Sequence, residues 1–326
     1  MTDLKAADQL LSELLESSTV LLTGPENPDG DSIGACLALQ RVLARHGVHA
    51  VVAGTPSYRY SSLPGADAMV ADEAVTATWD AVVVLDGDRH RLPEPVSRAF
   101  SAARLRGLVD HHASSTPEGY DIAWIDSTSC STCSMLAEAF DRWGEPLDPQ
   151  LAEVLYAGIV FDTGGFRYSN TSPETHQMVA RLLATGFDHA AVSASILAER
   201  RAAGLRLAGE VFRDMTLHAE GRLAMGTVTL AQRERLGVAQ GDLEGIVDAL
   251  VHIVGVEVAA LLIEREAGVV KYSLRSRGRV DLLPLAGALS PTGGGHAKAA
   301  GAKRICSVED GLKAALAVLE PAALAL

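Results

Sequence analysis

Three short apolar runs, TVLLT at 19–23, DAVVVL at 80–85 and LRGLV at 105–109, each lead into acidic residues, and helical periodicity fills the intervals between them. That alternation constrains the fold more than any other feature of the chain. Apolar, β-branched strands separated by helices bury both faces of a sheet, the pattern of a mostly parallel sheet covered by helices. HAVVA from 49 reads as a fourth strand. Leu4, Ala7, Leu11, Leu14 and Leu15 space as one helical face, and a second helix runs from about Ser32 to a stop at Gly47. Further helices are expected over 131–143, 150–160 and 174–185, the last led by Pro173 and ended by Gly186.

From 190 to about 213 the chain is rich in Ala and Arg and carries no strand signal, which suits a helical connector. GRLAMGTVTL, VEVAALLIE and VVKYSLRS then read as strands of a smaller domain. With 326 residues, two domains are expected. The fold class is therefore α/β: an N-terminal parallel-sheet domain over 1–190, a helical linker over 191–214, and a smaller C-terminal α/β domain with a mixed sheet over 215–326.

In an open parallel sheet the carboxyl ends of the strands share one edge, where ligands bind. Asn27-Pro28-Asp29-Gly30-Asp31, Asp86 and Asp110-His111-His112 follow three such strands and should converge there. Converging carboxylates repel one another unless a cation neutralises them, so hard divalent metals are the natural partner. The added imidazole points to Mn²⁺, with Mg²⁺, Co²⁺ or Zn²⁺ as alternatives. Asp162 follows an apolar helical run and precedes Gly164-Gly165; alone it would be an ordinary helix-terminal acid, and beside the other clusters it reads as a ligand.

A net charge of −13 argues against a surface that grips long nucleic acid and leaves small anionic substrates open. Between Lys271 and Arg304 the balance reverses, with Lys271, Arg275, Arg277, Arg279, Lys298, Lys303 and Arg304 against Asp281, either a solvated basic face or a local phosphate site. The N-terminal MTDLKAADQL lacks a leader pattern, and no apolar run reaches membrane-spanning length. Four scattered cysteines do not make a disulfide scaffold, so the chain reads as cytoplasmic. Cys130-Ser131-Thr132-Cys133 has zinc-knuckle spacing without a second ligand pair, and reads instead as a helix N-cap region with structural thiols. Ser114-Ser115-Thr116 reads as a loop.

The motifs NPDGDSIG at 27–34, the strand ending in Asp86, Asp110-His111-His112, FDTGGFRYSNT at 161–171 and the C-terminal Gly293-Gly294-Gly295-His296 with Ala299-Ala300-Gly301 occur in one order along nearly the whole chain. In this the chain resembles the DHH phosphoesterase superfamily with its DHH-associated C-terminal domain, specifically the branch of bifunctional nanoRNases and 3′-phosphoadenosine 5′-phosphate phosphatases. The resemblance implies that Asp29 holds a first metal, Asp31 a second, and that Asp86 bridges both, with His111 and Asp162 completing the second site. It also implies that His112 faces the substrate phosphate and that Asp110 orients the first imidazole, so that His112, Asp86 and Asp110 are the catalytic set. Arg275, Ser276, Gly294, Gly295 and His296, with Arg167, are the expected substrate contacts. Two divalent ions per subunit, Mn²⁺ foremost, would activate water for attack on phosphorus. Short RNA or DNA oligonucleotides and small nucleotides are the implied partners, without long duplexes or membranes, and a homodimer is the implied assembly. The chain departs from the family at Pro25, where a His usually stands two residues before the Asn. Proline cannot ligate, so Glu26 or water replaces it, the first site is weak, or catalysis is impaired. A cyclic dinucleotide phosphodiesterase and a nucleotide-binding protein weakened by Pro25 are the alternatives.

Overall fold

The computed structural model describes residues 4–76 and 78–326. The chain divides into two compact units, residues 1–199 and 200–326.

In the first unit the five strands are β1 Thr19–Thr23, β2 His49–Ala53, β3 Ala81–Leu85, β4 Leu105–Asp110 and β5 Ile122–Ile125. They form one sheet in the order β2-β1-β3-β4-β5, parallel throughout. Chain order reverses between β1 and β3, so their carboxyl ends flank the switch point at which ligands bind in such sheets. Every residue of β3 is buried, and side-chain alternation divides them between two cores. Val83 and Leu85 join the larger one, under α1 Leu4–Leu15, α2 Gly30–Arg45, α4 Thr132–Arg142 and α5 Pro149–Asp162. Val82 and Val84 join the smaller one, under α3 Glu94–Ala102. The four strands expected here are present; β5 and α3 were not anticipated. α6 Pro173–Leu183 starts on a capping box between Ser172 and Thr175.

The Ala-rich and Arg-rich stretch is helical, as α7 His189–Ser193, one π turn over Ala194–Ala198, and α8 Ala202–Asp214. α8 packs within the second unit, burying Leu207 and Val211. That unit is a mixed sheet of β6 Thr216–His218, β7 Leu223–Val228, β8 Val258–Glu266, β9 Val269–Ser276, β10 Gly294–His296 and β11 Ala299–Ile305, in the order β10-β11-β9-β8-β7-β6. Only the β7–β8 pair is parallel. Ala260 and Leu262 of β8 face the core under the helix Val308–Leu324, and Ala259 and Leu261 face the one under α8. Among the described residues, no helix is long and apolar enough to cross a membrane.

Candidate metal centre

Asp29 and Asp31 enter from the turn after β1. Asp29 is the N-cap of α2, its Oδ1 accepting from the backbone N–H groups of Asp31 at 3.1 Å and Ser32 at 3.2 Å. This cap starts α2 at Gly30, two residues earlier than the sequence suggested, and turns Asp31 inward, where it is wholly buried. Asp86 follows β3 with φ +60°, left-handed backbone that aspartate tolerates better than most residues at a cost of about 1 kcal/mol. Asp162 ends α5.

His111, after β4, lies among these acids. Its Nε2 is 2.9 Å from Asp162 Oδ2, 3.5 Å from Asp86 Oδ1 and 4.0 Å from Asp31 Oδ2. Donor atoms of Asp31, Asp86 and His111 all lie within 4.8 Å of one another, and the three residues are buried. Asp86, Asp110 and His112 form a second group of that size.

Asp110 was expected to orient the first imidazole, and the structure gives it to the second. Its Oδ1 is 2.6 Å from His112 Nδ1, its Oδ2 accepts from the Ser115 hydroxyl, and His111 Nδ1 instead lies 3.4 Å from the Ser129 carbonyl. β4 ends at Asp110, and residue 112 folds back onto it: the His112 N–H also donates to Asp110 Oδ1 at 3.3 Å, and the two imidazoles stay neighbours, their centroids 4.8 Å apart.

The electrostatics describe a cluster that needs positive charge. Burial, then repulsion from neighbouring acids, holds the Asp29 carboxyl well above the ordinary range and pushes Asp31 up to about 8. Burial also raises Asp162, against the His111 hydrogen bond that opposes it. Burial works on Asp86 in the same direction, yet hydrogen bonding to His111, the charges of His112 and His111, and the Thr132 hydroxyl hold it down at about 2. Burial alone would lower His111; its bonds to Asp162 and Asp86 reverse that and drive it to about 12. Four carboxylates, Asp31 and Asp86 buried and Asp29 and Asp162 half-buried, with one imidazole among them and partly neutralised by protons, have the donor chemistry of a site for hard or borderline divalent cations.

Two residues that sequence reasoning missed tie the acids to α4. The N–H of Thr132 donates to Asp31 Oδ2 at 2.6 Å, that of Cys133 donates to Asp31 Oδ1 at 2.9 Å, and the Thr132 hydroxyl donates to Asp86 Oδ1 at 3.3 Å. The helix start was legible in Ser131-Thr132; the acids it holds lie far away in sequence. Cys130 and Cys133 are buried free thiols.

Pro25 is buried, with its ring against Gly87: a Cβ placed on Gly87 would lie 2.9 Å from Pro25 Cδ. Glu26 is exposed, and its charge is felt by Asp72. Arg167 is exposed in the loop after α5, its Nε donating to the Gly164 carbonyl at 2.6 Å.

In the second unit, Arg275 of β9 pairs with Ala299 of β11, which pairs with His296 of β10. Directly opposed residues share a face, so Arg275 and His296 stand on one side of the sheet, two strand spacings or about 10 Å apart. Arg275 Nε donates to Asp248 Oδ1 at 2.7 Å. Gly295 has φ +133°, and a Cβ there would meet the Ala299 carbonyl at 2.5 Å, so this hairpin requires glycine. Gly294 pairs with Gly301 beside it. Ser276 is not brought together with Arg275: it alternates to the core face, and its buried hydroxyl donates to the Val280 carbonyl at 2.7 Å.

Comparison with known proteins identifies the family. The N-terminal domain of the DHH family matches residues 19–159, and the DHHA1 domain matches residues 225–322. The chain is 31% identical over 299 residues to the bifunctional oligoribonuclease and PAP phosphatase NrnA of Thermus thermophilus, covering 90% of this chain and 87% of that protein. It is 25% identical to the Bacillus subtilis protein of the same name, over 90% and 92% of the two chains. The crystal structure of an exopolyphosphatase-related protein from Bacteroides fragilis shares the fold, with a TM-score of 0.87 at 23% identity over 99% of this chain and 98% of that one. With a DHH domain, a DHHA1 domain and a likeness to NrnA along nine-tenths of its length, the chain belongs to the DHH family and is of the NrnA type.

Proposed function

We propose that the chain is a divalent-metal-dependent phosphoesterase that hydrolyses short oligonucleotides and 3′-phosphoadenosine 5′-phosphate, with chemistry in residues 1–190 and substrate holding in residues 215–326. The observation that carries the reading is the convergence of buried Asp31, Asp86 and His111 with half-buried Asp162 at the carboxyl edge of the sheet, beside the β1/β3 switch point. Asp29, Asp31, Asp86, His111 and Asp162 would hold the ions, two per subunit, Mn²⁺ foremost with Mg²⁺ or Co²⁺ as substitutes. Ions held there supply Lewis-acid polarisation of a phosphoryl oxygen and lower the pKa of water. His112, held by Asp110 through Nδ1, would face the substrate phosphate. Arg275 and His296, on one sheet face, are suited to a terminal phosphate, with the Gly294-Gly295 backbone close by. We further propose a homodimer, as the resemblance implies, in the cytoplasm.

The test is phosphate or nucleotide release from 3′-phosphoadenosine 5′-phosphate, pApA, RNA dimers to pentamers and cyclic dinucleotides, with excess Mn²⁺. Asp86→Asn keeps a side chain that tolerates left-handed backbone and should abolish release with the circular dichroism spectrum unchanged. No release from any substrate by the wild type sinks the reading. The placement of Pro25 favours a second one, a first site short of a donor, because Glu26 faces solvent and Asp72. Nucleotide binding without turnover at saturating Mn²⁺ would select it.

A further inference from the structure

We infer that Thr132 is a positioning residue, which fixes Asp31 and Asp86 relative to each other and thereby sets the metal affinity of the centre; this rests on the metal-dependent reading above. The two acids come from different elements, Asp31 from the first turn of α2 and Asp86 from the loop after β3, and their like charges push them apart. Thr132 touches both. Its backbone N–H donates to Asp31 Oδ2 at 2.6 Å, and its hydroxyl donates to Asp86 Oδ1 at 3.3 Å. Cys133 N–H takes the other oxygen of Asp31 at 2.9 Å, so that carboxylate is gripped at both ends by the first turn of α4.

The turn itself is rigid. Ser131 caps it, accepting from Ser134 N–H at 3.0 Å while its own N–H donates to the Ser134 hydroxyl at 3.1 Å. Thr132 is fully buried, and Asp86 Oδ1 is the acceptor its hydroxyl reaches. Asp86 also sits in left-handed backbone, a conformation that persists only where its surroundings hold it. The aligned N–H groups of the helix start favour the negative charge of Asp31, and the hydroxyl adds the one link to Asp86 that a backbone cannot supply.

Valine has the shape of threonine without the hydroxyl and leaves the N–H to Asp31 untouched, so Thr132→Val isolates the link to Asp86. Removing an outer hydrogen-bond partner of a metal ligand typically costs 10–100-fold in affinity. Mn²⁺ titration calorimetry on metal-free wild type, T132V and T132S, with thermal unfolding of each in the absence of metal, tests the inference. T132V should bind Mn²⁺ about 10–100-fold more weakly, while T132S, which keeps the hydroxyl, should bind as the wild type does. Equal affinity of T132V and wild type overturns the inference, as does a T132S loss as large as that of T132V. If T132V does not fold, T132A against T132S makes the same comparison. Failure of the wild type itself to bind Mn²⁺ overturns the metal-dependent reading, and this inference with it.

Discussion

Adding one methyl group at Gly158 is the sharpest test of how tightly the metal centre is packed. Gly158 lies in α5, in ordinary helical backbone, so alanine there should gain about 0.8–1.0 kcal/mol of intrinsic helix preference if the surroundings were open. They are not. The added Cβ would lie 2.5 Å from Asp31 Oδ1 and 2.9 Å from Cys133 Cβ, and closer still to Cys133 Sγ. Ordinary contact begins at 3.4 Å, so the Asp31 carboxylate would have to retreat by about 0.9 Å. It cannot do so freely, because the Thr132 and Cys133 N–H groups hold both its oxygens.

Overpacking of this kind costs about 1–3 kcal/mol, which offsets or exceeds the helix gain, so we expect Gly158→Ala to be destabilised by up to about 2 kcal/mol. A misplacement near 1 Å costs about 100-fold at a catalytic centre, so activity should fall far more than stability. Urea unfolding of the metal-free protein gives the first quantity, and kcat/KM with Mn²⁺ against 3′-phosphoadenosine 5′-phosphate gives the second. Cys133→Ala in the same chain removes Sγ, but leaves Cβ and Asp31 in the way, so the double variant should recover stability in part and activity little. A variant stabilised by about 1 kcal/mol with unchanged kcat/KM would refute the reasoning, since it would mean that the space beside Asp31 is open.

Asp110→Asn should lower kcat by about 10–100-fold with little change in metal affinity, because Asp110 bonds His112 while His111 faces Asp162 and Asp86; Ser115→Ala should act in the same direction and less, and a loss of Mn²⁺ binding in either would contradict the assignment. Asp80 accepts from the N–H groups of Thr19 and Ser18 at 2.9 Å each, and these bonds, Thr19 first, hold its carboxyl below the usual range. A depressed pKa stabilises the fold above the unfolded value near 3.9 and ceases to as pH falls through the folded value. Asp80→Asn should therefore lower the urea midpoint at neutral pH, with the gap closing as pH falls through the depressed folded value; a gap independent of pH would rule out the carboxylate's charge as its source.

What the sequence revealed follows from where each signal resides. TVLLT and HAVVA are observed as strands with the expected bounds, since each is a run of apolar and β-branched residues between polar breaks. β5 was missed because IAWI is four residues at the sheet edge, with Ile122 and Trp124 buried and the residues between and after them half-exposed. α3 was missed because its nine residues carry only three that are buried, Val96, Ala99 and Phe100. The convergence of Asp31, Asp86 and His111 was legible because parallel strands deliver their loops to one edge, a consequence of topology that needs no side-chain detail. The roles of Thr132 and Ser115 were not legible. Their hydrogen bonds depend on which loop each side chain meets, and Thr132 meets an aspartate 46 residues away.

Ser276 marks an intermediate case, in which the information was present and parity was the missing step. It alternates with Arg275 along β9 and turns to the core; a one-residue shift in an extended segment exchanges the two faces completely. Asp110 depends instead on the turn after β4, where His112 folds back on it through both its N–H and its Nδ1 while His111 Nε2 meets Asp162. The two imidazoles stand side by side, ring centroids 4.8 Å apart, so one segment supplies a donor to the acids and also presents a second imidazole, held by its own aspartate, beside them. Two consecutive histidines on a helix would diverge by about 100° without placing an acid two residues earlier against the second ring. The motif therefore depends on standing at the end of a strand, and the β4 carboxyl end is where this sequence puts it.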